Sequence, residues 1–311
     1  MFKKLLIILP AIAILSGCAT PIYRKPISIE TKNNIYSDQI ILNSNQRKLH
    51  AEPISKPEDD VNGAMLAPAM GFTSLAGGIG GGIGGLLGNM LASGIYKLEI
   101  RHAEKKMQPI SQSFNNYDLI GYFKINLSEE LNKIKWLKIK NSSLQFRLKE
   151  SDEKKIAQQS NEDTVFFASV SYQMSYPLNA VKLEANIKID KKIPKYGSFL
   201  TLYNNNFTYI YYLPKGIENS KAVKVWSDNN DQLIKNVLQD GSRIVAKQIV
   251  KDVDDSNSNL YLSMQDKKNI NFIDDYRQSL SGKLISKNGD LYIIRMPDDT
   301  IYIVNENALS K

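Results

Sequence analysis

The chain has 311 residues and a formal net charge of +8, with one cysteine and two histidines. This length is sufficient for two or three modest domains with a sizeable hydrophobic core. A single cysteine excludes an intramolecular disulfide, and so few cysteines and histidines argue against most zinc, haem and iron–sulfur sites. We therefore expect the protein to use no metal and no cofactor.

The first 17 residues have the build of a secretory signal peptide. Lys3 and Lys4 precede an apolar stretch at 5–15, which is too short to span a bilayer as a helix. We therefore expect residues 1–17 to take no part in the folded domain.

This segment ends in a motif, Leu-Ser-Gly-Cys at 15–18, that resembles the lipobox of bacterial lipoproteins. The leucine lies three positions before Cys18, and two small residues stand between them. The resemblance implies that the chain is cut before Cys18 and that fatty acids such as palmitate are attached to the thiol and to the new amino group. Several acyl chains anchor a protein stably, whereas one chain binds marginally. An ordinary signal peptide that is cut elsewhere, with an incidental Cys18, is the alternative.

The residue after the cysteine bears on location. In Gram-negative lipoproteins an aspartate at this position typically retains the protein at the inner membrane, and Ala19 stands there in this chain. The resemblance therefore implies an outer-membrane lipoprotein, which we expect to face the periplasm, with the cell surface as the alternative. Without residues 1–17 the chain keeps 38 of its 40 basic residues against 32 acidic ones, a net charge of +6. These charges are interspersed, so we expect no nucleic-acid partner.

Two segments without clear strands or helices follow the signal peptide. Residues 18–60 are polar and contain four prolines, and we interpret them as a tether with a weak strand signal at 35–42. Residues 61–96 contain no charged side chain and are rich in glycine. Gly77, Gly81 and Gly85 recur every four residues.

A second series of glycines in the same segment, Gly80, Gly84 and Gly88, has the same spacing. Glycines four apart lie on one stripe of a helix, where another backbone can approach closely. The segment resembles the glycine zippers of small outer-membrane lipoproteins, which implies association with the membrane or with other copies of the chain. A helical hairpin on the folded domain and a flexible linker are the alternatives.

The segment 97–270 carries the clearest strand signals and is predicted to form an α+β domain. Polar and apolar residues alternate at 144–148, 166–176 and 181–190, and two aromatic-rich strands are predicted at 199–203 and 207–213. A sheet with one buried and one solvent-exposed face is typically antiparallel. Helices are predicted at 95–114, around 129–136 and at 229–253, where Asp228 is a candidate N-cap and the apolar stripe would cover the sheet.

The last part of the chain, 271–311, is predicted to form a short helix and a β-meander. The helix is expected at 271–280 and the strands at 283–286, 291–296 and 301–304. Asn288-Gly289 is the strongest hairpin signal. Because both faces of these strands are apolar, the meander must pack on the main domain or on a partner.

Residues suited to catalysis are scarce. His50 falls in the predicted tether, and we interpret His102 as a solvated helix residue. Adjacent carboxylates do not face each other on a helix and usually serve as caps, turns or solvated faces. These pairs are Glu129/Glu130, Asp254/Asp255, Asp274/Asp275 and Asp298/Asp299. We therefore expect a protein that is not an enzyme.

A group of tyrosines offers the richest candidate surface: Tyr203, Tyr209, Tyr211 and Tyr212. They are either part of the core of the sheet or a face that binds a partner.

We expect an α+β fold with a mainly antiparallel sheet covered by a long helix. We further expect a lipid-anchored envelope protein with a structural, assembly or secretion-accessory role. The alternative is a periplasmic module that holds an apolar or glycan ligand between the sheet and the helix.

Overall fold

The computed structural model describes residues 27–44, 49–52, 102, 104–110, 114, 117–175, 178–193, 198–255, 264, 266–274 and 278–310. The predictions for Cys18 and for the Gly-rich segment 61–96 concern residues outside this set. Within the described residues, no helix has the length and the apolar character needed to cross a membrane.

The described residues form one large sheet with helices packed against it. The helices are α1 (Ile29–Asn33), α2 (Leu119–Leu131), α3 (Glu150–Gln159) and α4 (Asn219–Asp254), with a 3-10 turn at Glu306–Ala308. The first six strands are β1 (Asp38–Ser44), β2 (His50–Glu52), β3 (Ile139–Phe146), β4 (Thr164–Ser175), β5 (Ala180–Ile193) and β6 (Ser198–Tyr212). The last four are β7 (Asn269–Ile273), β8 (Ser279–Asn288), β9 (Leu291–Arg295) and β10 (Ile301–Asn305). The described residues of the predicted helix at 95–114 are also helical.

The strands follow the order β3-β1-β4-β5-β6-β10-β9-β8-β7, and β2 also pairs with β4. Strands β4, β5 and β6 are antiparallel, as are β7 to β10, whereas β1 is parallel to β3 and β4, and β10 is parallel to β6. The predicted α+β fold, with a mainly antiparallel sheet, a long covering helix and a C-terminal meander, is confirmed. The meander packs on the main domain, because β10 continues the same sheet beside β6.

One face of the sheet carries the main core. Alternate residues of β5, from Val181 to Ile189, lie against α2 and α4 and are fully buried. Helix α2 contributes Phe123 and Leu127, and α4 contributes Leu238 among others. These positions recur every three or four residues, so each helix presents one apolar stripe to the sheet. The helix predicted around 129–136 lies earlier in the chain, at Leu119–Leu131, where Asp118 accepts a hydrogen bond from the Gly121 N–H.

The opposite face is covered at its two ends by smaller apolar clusters. Under α3, Ile41 and Phe167 are buried with Ala157 and Val165. At the meander, Phe272 and Ile294 are central to a second cluster. Between these two clusters the face is polar.

The segment predicted as a polar tether, 18–60, contributes to the sheet. Residues 27–44 and 49–52 form α1, β1 and β2, and β1 lies inside the sheet between β3 and β4. Ile40 and Leu42 face the main core, whereas Ile41 faces the cluster under α3. A strand buried on both faces shows no alternation of polar and apolar residues, which explains the weak signal at 35–42.

The predicted helix at 271–280 is wrong for its described residues. Residues 269–273 form β7, and β8 begins at Ser279. Ile270 and Phe272 are buried in the cluster at the meander, and the asparagines that alternate with them are exposed. This period of two requires a strand, and the stretch is too short for a helical stripe to be read from it.

The long helix α4 begins ten residues before the predicted start and is broken at the predicted cap. Asp228 is extended, and Asn229, Asn230 and Asp231 have φ values of 53°, 64° and 59°. Asparagine and aspartate tolerate this left-handed region better than other side chains. The part before the break holds Trp226 in the core, where its indole N–H donates to the Leu178 carbonyl at 2.8 Å.

Candidate functional site

The four tyrosines that are candidates for a partner face lie in or at the edge of the core. Tyr203, Tyr209 and Tyr212 are buried, and Tyr211 is half-buried. The rings of Tyr211 and Trp226 pack edge to face, with 6.4 Å between their centroids. Burial raises the pKa of the Tyr209 hydroxyl above its usual range. Of the two interpretations from sequence, the structure favours the core, and these four residues form no exposed partner face. The four tyrosines lie on β6, which packs against α4.

Two of these tyrosines use their hydroxyl groups to tie elements together. The Tyr212 hydroxyl donates to the Asp274 carbonyl at 2.5 Å, which joins β6 to the end of β7. The Tyr203 hydroxyl donates to Asp252 Oδ2 at 2.6 Å, which joins β6 to α4. A buried tyrosine normally needs such an acceptor.

Asp252 is the centre of a buried polar cluster. Its Oδ1 lies 2.5 Å from Arg295 Nη2, and its Oδ2 accepts from the Asn205 amide at 3.0 Å as well as from Tyr203. Asp299, in the turn between β9 and β10, lies 3.5 Å from Arg295 Nη1, and its carbonyl accepts from Asn205 at 3.1 Å. All five side chains are at most 6% exposed.

This cluster is better suited to holding the fold than to catalysis. Asp252 accepts hydrogen bonds from at least three donors, so its carboxylate is stabilised in the charged form. The guanidinium of Arg295 neutralises it, although the Arg295 Nε–H has no hydrogen-bond partner among the described residues. Asp298/Asp299 was one of the carboxylate pairs expected to serve as a cap, a turn or a solvated face. No sequence motif links residues of α4 and β9, so neither Asp252 nor Arg295 can be identified from the sequence.

A second buried carboxylate, Asp38, lies where β1, β3 and β4 begin. It accepts hydrogen bonds from the Lys138 N–H at 2.6 Å and from the Thr164 hydroxyl. Burial raises the pKa of this carboxyl to about 6, and the nearby charges of Asp163 and Glu162 act in the same direction. Asp38 can therefore change its charge near neutral pH, but it is enclosed by backbone and hydroxyl groups.

The other candidate residues do not converge on one site. His102 is exposed, as expected, and His50 lies in β2. Asp298 is exposed although its neighbour Asp299 is buried. Among the described residues, no three histidine, cysteine, aspartate or glutamate side chains are placed to hold a metal ion.

The space between the sheet and the long helix, where the alternative function would place a ligand, is filled by side chains. Leu238, Ile249 and Val253 of α4 and Ile187 and Phe207 of the sheet are all fully buried in one cluster. Side chains at native packing density leave little room for a ligand there.

A polar groove lies on the opposite face of the sheet, between the two small apolar clusters. It has a volume of about 330 Å³ and crosses β4, β5, β6 and β10. One row of its lining runs across the four strands through directly paired residues: Ser171, Glu184, Thr208 and Tyr302. A second row contains Ser169, Asn186 and Asn206.

The chemistry of this groove is that of hydroxyl and amide groups, which both donate and accept hydrogen bonds. Its one carboxylate, Glu184, is paired with the buried Lys182 at 3.2 Å. The Asn186 amide donates to the Asn206 side-chain carbonyl across the strands. The groove could therefore hold an uncharged polar ligand. The alternation of polar and apolar residues predicts a solvent-exposed face here, but it does not show that apolar clusters cover the face on both sides of the groove.

Comparisons with known proteins add little to this description. No protein-family model matches the chain, and no curated protein matches it. Three chains of solved structures match. One is the hypothetical protein CT253 from Chlamydia trachomatis, which is 12% identical over 44% of this chain and 88% of that chain, with a TM-score of 0.28. A likeness at this TM-score carries no argument about fold or function.

Proposed function

We propose that this chain is a lipid-anchored, non-catalytic protein of the cell envelope, attached through Cys18 to the outer membrane and facing the periplasm. The observation that carries the proposal is the motif Leu-Ser-Gly-Cys at 15–18, directly after a positively charged and then apolar segment. The chain has no other cysteine, so Cys18 is its single candidate for thiol acylation. Two or more acyl chains would hold the protein in the membrane without a spanning helix.

The role that we propose is structural, in assembly or as a secretion accessory, through contacts with other proteins. A sheet edge supports this role. Strand β3 is the outermost strand at one end of the order, and among the described residues β1 is its pairing partner. The free backbone groups of an edge strand can pair with an extended segment of another protein. Phe146, at the end of β3, is exposed and would add apolar contact.

Metabolic labelling tests the anchor. Cells that produce the full chain are grown with radiolabelled palmitate, and the purified protein is analysed for label and for membrane fractionation. We expect label and membrane association in the natural chain, and loss of both in Cys18→Ser. Ser16→Ala, which keeps a small residue inside the motif, is the matched control and should be labelled normally. Equal labelling of Cys18→Ser and the natural chain would overturn the proposal.

A ligand-binding module is the second candidate, and the polar groove favours it. Because the space between sheet and helix is filled, the ligand would lie on the opposite face, across β4, β5 and β6. Hydroxyl and amide side chains with one neutralised carboxylate suit an uncharged, hydroxyl-rich ligand such as a glycan.

Calorimetric titration with neutral oligosaccharides tests this second candidate. Binding should be lost in the double variant Asn186→Leu and Asn206→Leu, which places apolar groups in the groove. Asn271→Leu changes an exposed asparagine on β7, outside the groove, and should bind as the natural chain does. Heat of binding that is equal in both variants would exclude the groove as the site.

A further inference from the structure

The chain enters its folded part close to the proposed anchor. Ile27, the first described residue, is buried in the main core. Cys18 precedes it by nine positions. An extended residue spans at most about 3.6 Å, so this stretch can separate the two residues by no more than about 32 Å. If Cys18 is lipidated, one part of the domain must therefore lie close to the bilayer.

The register of the sheet identifies that part. Asp38, at the start of β1, is paired with Ile139 of β3 and Thr164 of β4. Thr164 is paired with Lys191 of β5, which in turn is paired with Leu200 of β6. One row of residues across five strands thus marks the end of the sheet at which the chain enters. We call this the entry end, and it comprises residues 29–38, 136–139, 162–164, 191–193 and 198–200.

Hydrogen bonds hold α1 and the residues after it against the strands and the helix α4 at the entry end. The Lys191 ammonium donates to the Asn34 carbonyl at 3.3 Å, and the Tyr36 N–H donates to Asp163 Oδ2 at 3.0 Å. The Lys32 ammonium donates to the Asp254 carbonyl at 2.9 Å, which ties α1 to the end of α4. The entry end is therefore a fixed surface of the domain.

This surface exposes large apolar side chains. Ile29 is 69% exposed, Tyr36 is 64% exposed and Leu200 is 54% exposed. They are three of the six large hydrophobic side chains that are exposed among the described residues. The Lys138 ammonium lies 5.7 Å from the centre of the Tyr36 ring. Aliphatic and tyrosine side chains with lysines beside them are typical of surfaces that lie in the headgroup region of a bilayer.

The charges of the entry end are balanced. The basic residues Lys138 and Lys192 belong to the same end of the sheet as the acidic residues Glu162 and Asp163. A cluster of basic residues would bind an anionic surface electrostatically. Here the apolar side chains must supply the contact, so we expect it to depend little on salt or on the content of anionic lipid.

We propose that the entry end rests on the bilayer that holds Cys18, with Ile29, Tyr36 and Leu200 in its headgroup region. This proposal rests on the lipidation of Cys18. It orients the domain with the sheet strands rising from the membrane, and it leaves the polar groove and the far end of β3 directed away from the lipid.

Fluorescence quenching tests the proposal in the lipidated full chain, reconstituted into vesicles of phosphatidylethanolamine and phosphatidylglycerol. Acylation of Cys18 leaves an engineered cysteine as the sole free thiol. Ile29→Cys and Leu200→Cys place an environment-sensitive dye at the entry end. Ile125→Cys is the matched control, since Ile125 is 59% exposed but lies on α2. Phe146→Cys, at the opposite end of β3, is the second control.

We expect nitroxide-labelled lipid headgroups to quench the dye several-fold more strongly at 29 and 200 than at 125 and 146. Adding Ile29→Ser and Tyr36→Ser to the Leu200→Cys chain should abolish the difference, although the acyl chains keep the protein on the vesicles. Equal quenching at all four positions would overturn the proposal. If the protein does not float with the vesicles and Cys18 has a free thiol, the proposed function fails. If it floats and the quenching is equal, only the orientation fails.

Discussion

The guanidinium of Arg295 lies 2.5 Å from the carboxylate of Asp252, and this pair connects the end of α4 to strand β9. Both side chains are buried, so water stabilises neither charge. Each charge is therefore kept in the core by its partner. The pair attaches the C-terminal meander to helix α4. The backbone pairing of β10 with β6 attaches the meander to the main sheet.

Removal of the cation should destabilise the protein strongly. Arg295→Met leaves the carboxylates of Asp252 and Asp299 buried without their cationic partner. We expect a loss of about 3–5 kcal/mol in the free energy of unfolding. Urea unfolding followed by circular dichroism measures it.

An exposed ion pair provides the control for this prediction. Arg243 and Asp240 lie 2.9 Å apart on α4 and are both exposed. Exposed pairs of this kind contribute less than about 1 kcal/mol, so Arg243→Met should change stability little. A similar loss in the two variants would contradict the importance that we assign to the buried pair.

Gly241 in α4 should not tolerate a methyl group. A Cβ at this position would lie 2.6 Å from two ring carbons of Tyr209. Glycine to alanine normally stabilises a helix by about 1 kcal/mol, but here the clash should lower the free energy of unfolding by about 1–3 kcal/mol. Thermal and urea unfolding of Gly241→Ala measure the sign. In a Tyr209→Leu background the same substitution should cost less, and an equal cost in both backgrounds would exclude the ring as the cause.

Asp38 should make stability depend on pH. Its pKa in the folded protein is about 6 against 3.8 for the ordinary group. At pH values between 3.8 and about 6, Asp38 keeps its proton in the folded chain but has lost it in the unfolded chain. The free energy of unfolding should therefore fall as pH rises from about 4 to about 6, by up to about 3 kcal/mol, and then level off.

The variant Asp38→Asn isolates this effect because an amide does not titrate. The free energy of unfolding of Asp38→Asn minus that of the natural chain should increase as pH rises from about 4 to about 6, by up to about 3 kcal/mol, and should stay constant above pH 6. Asp298→Asn, at an exposed position, should keep the pH profile of the natural chain. Parallel profiles for Asp38→Asn and the natural chain would refute the assignment.

The proposed glycine zipper predicts self-association. Gly81→Leu should place a bulky side chain on the stripe formed by Gly77, Gly81 and Gly85 and should prevent close approach of two backbones. We expect the lipidated chain to form an oligomer in mild detergent that this variant loses, as measured by crosslinking. Ile83→Leu, which keeps an apolar residue off the stripe, should behave as the natural chain. A natural chain that is monomeric under these conditions would contradict the zipper.

Sequence patterns predicted the antiparallel part of the sheet well. Along most of β4 and β5, one face is directed toward an apolar core and the other toward water or a polar groove, so period-two alternation is visible in the chain itself. Asn288-Gly289 correctly predicts a hairpin, although the two-residue turn is Gly289-Asp290, because Asn288 is paired with Leu291. Gly289 has the positive φ of 61° that such a tight turn requires.

The same patterns failed where burial was not one-sided. Strand β1 is buried on both faces, and its surroundings are polar and proline-rich, so its segment was predicted as a tether. For β7 the five residues are too few to distinguish a strand from a turn of helix. The tyrosines of β6 stand out in the sequence, but the sequence does not show whether they are buried. Their burial depends on how β6 packs under α4, and the alternation of residues within one strand carries no information about that packing.

The sequence by itself determined local features of this protein: the distribution of charge and glycine, and the strands with one solvent-exposed face. The signal segment and its lipidation motif are predictions of the same local kind. These depend on neighbouring residues, whose chemistry is visible along the chain. Tertiary structure alone decided which distant residues meet. Arg295 and Asp252 pair because β9 and α4 pack together. Leu200 lies at the same end of the sheet as Asp38 because the register aligns five strands, and hydrogen bonds with Lys191 and Asp163 hold Asn34 and Tyr36 at that end. Such contacts depend on register and packing, which no local pattern records.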